Sequence, residues 1–305
     1  MRIIIIGNQK FGAAVLQEFY KRTDHDVVAV LCKKDFIGNS IDPIKKYAEQ
    51  YKIPLFQPEN YKDKKLINKI ETLKPDICIM ANVTTFIPKE FREIPVKGTI
   101  CFHPSLLPKH RGPSAINWAI IGGSKETGLT IYYPNDFFDE GDIILQKKVQ
   151  ILPDDTLGDV YFSKIFPIGV KACVEAVDLI NSKNPPRIVQ DKKKATYESW
   201  CKKPESKIDW NKSGQDIYNL IRGCNPKPGA WANIDGNEYS FYDTVFEVTE
   251  NSKLLPGKII LKNEDEIVIS VIGGVLKVSR IKSKQGKFYI KEMDKDIFKV
   301  GDIFT

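Results

Sequence analysis

Short aliphatic runs alternate with amphipathic stretches of helical period through the first half of the chain, beginning with Ile3-Ile4-Ile5-Ile6. Runs that are almost wholly apolar are typical of parallel strands buried by helices on both faces. The predicted strands cover residues 2–6, 27–31, 55–56, 77–80, 98–102, 129–133 and 143–148, and the predicted helices cover 13–20, 43–51, 64–73 and 114–121. This order predicts an α/β fold with a Rossmann-like, mostly parallel sheet and helices on both faces.

A longer helix is predicted from Thr156, as its N-cap, to about Ile180. Pro167 and Gly169 fall inside this stretch, and they predict a kink near its middle. Residues 184–205 are rich in Pro and Lys, which is typical of a linker or an extended crossing. We therefore predict a first domain over residues 1–203 and a second over residues 204–305.

The second domain shows a different pattern of short alternating runs. Turns such as Asp235-Gly236 and Gly273-Gly274 separate them. The predicted strands cover residues 238–242, 245–248, 258–261, 267–271 and 275–281. Alternation with a period of two residues predicts a small antiparallel β-barrel, similar to an OB-fold.

The composition is that of a globular protein, since 42% of the 305 residues are hydrophobic and 28% are charged. The six cysteines are scattered without a C-x-x-C pair, which predicts reduced thiols and no structural zinc site. The opening isoleucine run is too short for a membrane span and lacks a cleavage site, so we expect a cytoplasmic protein with no membrane partner. The net charge of +7 predicts a weak attraction to polyanions.

The strongest candidate for chemistry is His103, which directly follows the predicted strand 98–102. Ligands of such sheets bind beyond the carboxyl ends of the strands, so His103 is placed to meet a substrate. Asp139 lies 36 residues later in an acidic turn, where its carboxylate can fix the orientation and charge of an imidazole. Two other interpretations of His103 stay open. Its side chain could simply hydrogen-bond within its own loop or, less favoured, form a metal site with His110.

Three further segments have both a structural and a functional interpretation. The turn from Gly7 to Gly12 does not match G-x-G-x-x-G, so a tight turn that packs the first helix is favoured over a nucleotide loop. The run 79–88 leads from a buried strand into an apolar loop, which could form the wall of a site for a flat aromatic ligand or simply pack. The segment 225–231 is either a rigid connector or part of a ligand rim, and the connector is preferred.

Together, these marks resemble the formyltransferases that use 10-formyltetrahydrofolate, over nearly the whole chain. The matching segments are Gly7-x-x-x-Phe11-Gly12, His103-Pro-Ser-Leu-Leu-Pro108 with Arg111-Gly112, Gly128 to Gly141, and Arg222 to Ala230. The resemblance implies a Rossmann-like catalytic domain and, as in the methionyl-tRNA formyltransferase branch, a C-terminal barrel. The closest likeness is to the hydrolase domain of 10-formyltetrahydrofolate dehydrogenase.

The resemblance implies a catalytic His103 and Asp139, with Cys101 at the position where the family usually has an asparagine. An asparagine amide donates a good hydrogen bond to a developing oxyanion, and a thiol does not, which typically costs about 10² to 10³ in rate. We expect folate, as 10-formyltetrahydrofolate co-substrate and without a metal, to lie between two loops. The residues predicted to bind it are Thr84, Thr85, Phe86, Ile87, Pro88, Asn135, Asp136, Phe137 and Phe138. The residues predicted to form the loop at the substrate are Ser105, Leu106, Leu107, Pro108, Arg111 and Gly112.

The identity of the acceptor stays open at this point. Formyl transfer to an amine, with charged initiator tRNA as the partner, is the first hypothesis. The loop from Asp35 to Asp42 is poor in the basic residues that we expect in a loop that binds tRNA. Hydrolysis of 10-formyltetrahydrofolate to formate and tetrahydrofolate is the alternative, followed by formylation of a sugar amine or another small amine. A non-catalytic folate or RNA binder is a hypothesis from another class.

Overall fold

The computed structural model describes residues 1–35, 40–249, 254–294 and 296–305. It separates into two compact units, one of residues 1–113, 128–149 and 164–197, the other of residues 114–127, 150–163 and 198–305. These units are compact in space and consist of several chain segments. The predicted boundary at residue 203 divides the sequence into two continuous domains, and it stays a prediction. Part of the loop from Asp35 to Asp42, residues 36–39, lies outside the described residues. Within the described residues, no helix is long and apolar enough to cross a membrane.

The first unit is built on a seven-stranded sheet in the order β3-β2-β1-β4-β5-β6-β7. Its strands are β1 (Arg2–Gly7), β2 (Asp26–Leu31), β3 (Leu55–Phe56), β4 (Ile77–Ala81), β5 (Thr99–His103), β6 (Glu126–Tyr132) and β7 (Ile143–Gln150). All pairs from β3 to β5 are parallel, whereas β6 runs antiparallel to β5. The isoleucines of β1 are buried on both faces, as their unbroken run predicts. The predicted α/β fold with a mostly parallel sheet is confirmed.

The order of the strands places a topological switch point between β1 and β4, because the chain leaves β1 towards β2 and returns on its other side. Asn8 and Asn82 follow these two strands. The Asn8 side-chain amide donates to the Asn82 carbonyl at 3.0 Å, and the Asn82 amide donates back at 3.3 Å. These bonds hold the first residues beyond β1 and β4 together. The carboxyl end of β5, with His103, is next to that of β4.

The helices of the first unit are α1 (Gln9–Tyr20), α2 (Pro43–Gln50), α3 (Lys64–Thr72), α4 (Lys89–Arg92) and α6 (Phe166–Ile180). Helix α1 begins at Gln9, four residues before the predicted Ala13. A Cβ on Gly7 would lie 2.9 Å from Ile44 Cδ1 and 3.1 Å from the Cα of Gly12. The turn therefore brings helices against the sheet, in keeping with the packing interpretation.

The long helix predicted over residues 156–180 consists of two parts. A π-helical segment, Asp159–Ile165, precedes α6. Thr156 caps its start, since the Asp159 amide donates to Thr156 Oγ1 at 3.2 Å. The change of helix type falls at Phe166, directly before Pro167, which has no amide hydrogen to donate. The predicted interruption is therefore present, one residue before the proline.

The second unit contains α5 (Ala115–Ile121), α7 (Gly214–Gly223) and a six-stranded antiparallel sheet. The strands are β8 (Ala230–Ile234), β9 (Asn237–Val248), β10 (Ile259–Lys262), β11 (Ile267–Val271), β12 (Gly274–Ser283) and β13 (Gly286–Tyr289). The path β10-β11-β12-β9-β8 leaves β8 and β10 as edges, and the last residues hydrogen-bond to both: Thr305 pairs with Asn233 of β8, and Asp302 accepts from Ile259 of β10. Backbone hydrogen bonds thus close the sheet as an antiparallel barrel requires.

Three strands of this sheet differ from the prediction. The runs 238–242 and 245–248 form one strand, β9, because β12 pairs with both sides of Asp243, whose φ is +45°. Strand β8 covers part of the segment 225–231, interpreted as a connector, and β13 follows the last predicted strand, 275–281. Both strands are short. They form by pairing with β9 and β12, and this tertiary contact is not visible in the local sequence pattern.

Candidate active site

His103 is the last residue of β5, and its side chain is buried. Nε2 lies 2.8 Å from the backbone oxygen of His110. A carbonyl oxygen only accepts, so Nε2 carries a hydrogen and donates it. The imidazole is therefore held by its own loop through one nitrogen, and Nδ1 is left for chemistry.

Asp139 lies beside that second nitrogen. Its Oδ1 is 3.7 Å from His103 Nδ1, and its backbone is left-handed with a φ of +57°. Oδ2 accepts from the Gly112 amide at 2.8 Å, and Oδ1 accepts from the Tyr132 hydroxyl at 2.8 Å. The structure thus brings together the predicted pair, with the carboxylate positioned to stabilise a proton on the imidazole.

Cys101 stands two residues before His103 on the same strand, so both side chains are on one face of the sheet. Burial and, to a lesser extent, the charge of Asp139 raise the pKa of its thiol to about 12. The thiol is therefore neutral at physiological pH. It is a weak donor at the position predicted to stabilise an oxyanion.

The acidic turn around Asp139 is held by a buried polar network. Arg111 donates to Glu140 Oε1 at 2.9 Å and to Gln190 Oε1 at 2.8 Å. The Gln190 amide in turn donates to the carbonyl oxygens of Asp139 and Gly141, at 2.9 and 2.7 Å. Arg111 thus supports the backbone of Asp139 through Gln190, and the Gly112 amide supports its carboxylate. No sequence motif marks Gln190, which lies in the stretch interpreted as a linker.

Gly141 ends this turn, and a side chain there has no space. A Cβ would overlap the carbonyl oxygen of Tyr133 and lie 2.7 Å from its carbonyl carbon. We expect Gly141→Ala to lower the free energy of unfolding by more than about 3 kcal/mol, because backbone cannot move aside cheaply. Gly98→Ala is the control: its φ is +84° but nothing lies within 4 Å, so only strain of about 1–2 kcal/mol applies. Equal losses for both variants in urea unfolding would contradict the steric explanation.

The residues predicted to form the loop at the substrate mainly fix the backbone conformation of that loop. Ser105 and Leu107 are buried, and both bond to Thr130: its hydroxyl donates to the Ser105 carbonyl at 2.6 Å and accepts from the Leu107 amide at 3.1 Å. Leu106 packs where Gly128 has no side chain, and the Pro108 carbonyl accepts from the Thr196 amide at 3.2 Å. These contacts fix the loop that supplies the His110 carbonyl to His103.

Exposed aromatic rings mark the two loops predicted to bind folate. Phe86, Phe137 and Phe138 are 45%, 66% and 60% exposed, and the rings of Phe86 and Phe138 are 6.0 Å apart. In the first loop, the exposed Thr84 accepts from Lys33 Nζ at 2.7 Å, and Thr85 is also exposed, whereas Ile87 and Pro88 are buried. In the second, Asn135 Oδ1 accepts from the Phe137 amide at 3.0 Å. Exposed rings of this kind suit a flat heteroaromatic ligand.

Arg92 joins these two loops. Its guanidinium is buried and donates to the Ile87 carbonyl at 2.9 Å, to the Pro134 carbonyl at 2.6 Å and to the Asp136 carboxylate. One side chain therefore sets the spacing between the loops. Only the fold brings residues 87, 92 and 136 together, so a local motif could not have identified Arg92.

Among the described residues, one group could hold a metal ion: Asp24, His25 and Asp178. Arg22 already pairs with both carboxylates, at 2.8 Å and 3.1 Å. Its hydrogen bond holds the pKa of Asp24 at about 2. The guanidinium thus occupies the position of a cation, and the group lies away from His103, at the start of β2.

Comparison with known proteins identifies relatives along the whole chain. A sequence profile described as Formyl transferase matches residues 1–177, and one described as Formyl transferase, C-terminal domain, matches residues 201–293. The cytosolic 10-formyltetrahydrofolate dehydrogenase of Xenopus laevis is 39% identical over 251 residues, which are 81% of this chain and 28% of that protein. The methionyl-tRNA formyltransferase of Desulforamulus reducens is 34% identical over 286 residues, which are 92% of this chain and 90% of that protein.

The fold also has solved counterparts. An N-formyltransferase from Helicobacter canadensis, solved with folinic acid and dTDP-3-aminofucose, superposes with a TM-score of 0.67 at 18% identity. The superposition covers 94% of this chain and all of that one. The sequence matches extend over both parts of the chain. This protein is therefore a member of the formyltransferase family, the enzymes that use 10-formyltetrahydrofolate.

Proposed function

We propose that this enzyme transfers the formyl group of 10-formyltetrahydrofolate to an amine, with methionyl-tRNA as the acceptor. The observation that carries the chemistry is the approach of Asp139 Oδ1 to His103 Nδ1, 3.7 Å, at the carboxyl end of a central strand. That is the edge at which sheets of this topology bind their ligands.

The donor fits the residues of the two loops. The rings of Phe86 and Phe138 would contact the flat pteridine, and exposed backbone groups of the loops would bond its polar edges. Arg92 holds both loops at a set spacing, so little ordering is required on binding. The donor supplies a formyl carbon made electrophilic by its oxygen.

His103 and Asp139 then serve the transfer. The amine attacks the formyl carbon, and the imidazole relays the proton that the amine loses to the departing nitrogen of tetrahydrofolate. While it holds this proton, the ring is positive and stabilises the negative charge developing on the formyl oxygen. Asp139 stabilises that positive charge and keeps the ring oriented, because each of its oxygens is fixed by a hydrogen bond.

Methionyl-tRNA is supported as the acceptor by the end-to-end match to a methionyl-tRNA formyltransferase, which includes the barrel. The net charge of +7 favours binding of a polyanion. Formyl transfer to a sugar amine has less support, because the similarity to that Helicobacter enzyme is a likeness of fold.

Hydrolysis of 10-formyltetrahydrofolate is a second candidate, supported by Cys101. A neutral, buried thiol replaces a good donor, and the higher identity is to a dehydrogenase, of which this chain spans 28%. Water would then attack the formyl carbon in place of the amine. Formate and tetrahydrofolate would be the products.

The test is turnover of 10-formyltetrahydrofolate with and without charged initiator tRNA, followed by folate absorbance. We expect tetrahydrofolate release to require methionyl-tRNA and to match formyl-methionyl-tRNA in amount. Release of formate without an acceptor would assign the hydrolase instead, and no turnover under either condition would refute both. Cys101→Asn separates the two further: an amide at this position should raise amine transfer by up to about 10²-fold, and an unchanged rate would mean that another donor already serves the oxyanion.

A further inference from the structure

Tyr132 is the last residue of β6 and faces the same side of the sheet as His103. Its Cα partner in the antiparallel register is Cys101, and His103 pairs with Thr130. Directly opposed residues in such a pair project to one face, so the Tyr132 ring lies with the thiol and the imidazole. Tyr132 is only 3% exposed.

The Tyr132 hydroxyl donates to the oxygen of Asp139 that approaches the imidazole. It is 2.8 Å from Oδ1, the atom 3.7 Å from His103 Nδ1, while Oδ2 is held by the Gly112 amide. Burial raises the pKa of Tyr132 well above its usual range, so the phenol stays a neutral donor. The Cys101 thiol donates to the Phe102 carbonyl oxygen at 3.7 Å, so the series at this site is phenol, carboxylate and imidazole.

We infer that Tyr132 is a positioning residue for formyl transfer, which acts through Asp139 by keeping Oδ1 directed at His103. The inference rests on the proposed function. A carboxylate held at one oxygen only can rotate about its last side-chain bond, whereas one held at both cannot without losing a charge-assisted hydrogen bond.

The other charged and titratable groups around Asp139 are few among the described residues. His103 and Cys101 face it from β5, and Arg111 lies in the loop after that strand, paired with Glu140. The hydroxyl of Tyr132 is therefore the side-chain donor that a single substitution can remove while these groups stay in place.

The experiment compares Tyr132→Phe with Tyr133→Phe. Tyr133 is the next residue, also buried, and its ring contacts Arg187, 3.9 Å from the ring centroid, on the opposite face of the strand. In Tyr132→Phe we expect kcat for formyl transfer to fall about 10- to 100-fold, with KM for the folate changed less than about twofold. Tyr133→Phe should leave both unchanged.

A second readout does not depend on turnover. The carboxyl ¹³C chemical shift of Asp139, assigned by its absence in Asp139→Asn and recorded at a single pH, should change in Tyr132→Phe and stay at the wild-type value in Tyr133→Phe, because only the first variant loses the hydrogen bond to Oδ1. A Tyr132→Phe enzyme with unchanged kcat, or with an unchanged Asp139 carboxyl signal, would overturn the inference, because a packing role alone would alter only the urea midpoint. If the wild type transfers no formyl group, the proposed function fails, and the carboxyl signal still decides whether Tyr132 holds Asp139.

Discussion

His103→Gln is expected to lower kcat/KM for formyl transfer by about 10² to 10⁴, the range that a positioned acid–base group contributes. Imidazole can both take up and release a proton near neutral pH, and an amide cannot. Glutamine retains a donor for the carbonyl that His103 Nε2 now contacts at 2.8 Å, so it disturbs the loop less than alanine does. Turnover of 10-formyltetrahydrofolate, with charged initiator tRNA as acceptor, measures the effect.

The matched control for this variant is His25→Asn. His25 directly precedes β2, at the amino-terminal edge of the sheet, whereas His103 lies at the carboxyl-terminal edge. Loss of this imidazole should leave turnover within about threefold of the wild type, as for substitutions remote from a site. A His103→Gln enzyme as active as His25→Asn, with both folded by circular dichroism, would remove His103 from the mechanism.

Local patterns indicate the fold class, the position of His103 and the backbone of Asp139. The apolar run 98–102 indicates a strand that ends at His103, at the edge where ligands of such sheets bind. The Asp-x-Gly turn permits the left-handed backbone that Asp139 adopts. Strand β6, which precedes this turn, runs antiparallel to β5, so the approach of the two side chains depends on the tertiary fold.

The supporting residues follow from distances that a sequence does not record. Gln190 reaches a turn that lies 51 residues earlier in the chain, and Arg92 bonds a carboxylate 44 residues later. Their partners are mostly carbonyl oxygens, which every residue has, so no residue type at the other end identifies the contact. Tyr132 is intermediate: strand periodicity could place its ring beside His103, but only the turn geometry brings Asp139 to its hydroxyl.

Asp139→Asn is expected to lower kcat by about 10³-fold, because the substitution removes the charge that stabilises a proton on the imidazole and leaves the shape of the side chain. Asparagine is the right replacement because it tolerates the left-handed backbone of residue 139, whose φ is +57°, whereas alanine there adds about 1–2 kcal/mol of strain. An amide can accept at one atom only, so either the Gly112 amide or the Tyr132 hydroxyl also loses its partner.

Asp235→Asn provides the same chemical change at a residue with φ +48°, in a turn of the second unit. It should retain wild-type turnover, so any cost of placing asparagine in a left-handed turn is measured separately. Formyl transfer followed across pH 5 to 9 should show Asp139→Asn below the control throughout this range, because its side chain carries no negative charge at any pH. Rates for Asp139→Asn that equal those of the control would mean that the imidazole works without a carboxylate, and the pair at the end of β5 could not then be the catalytic centre.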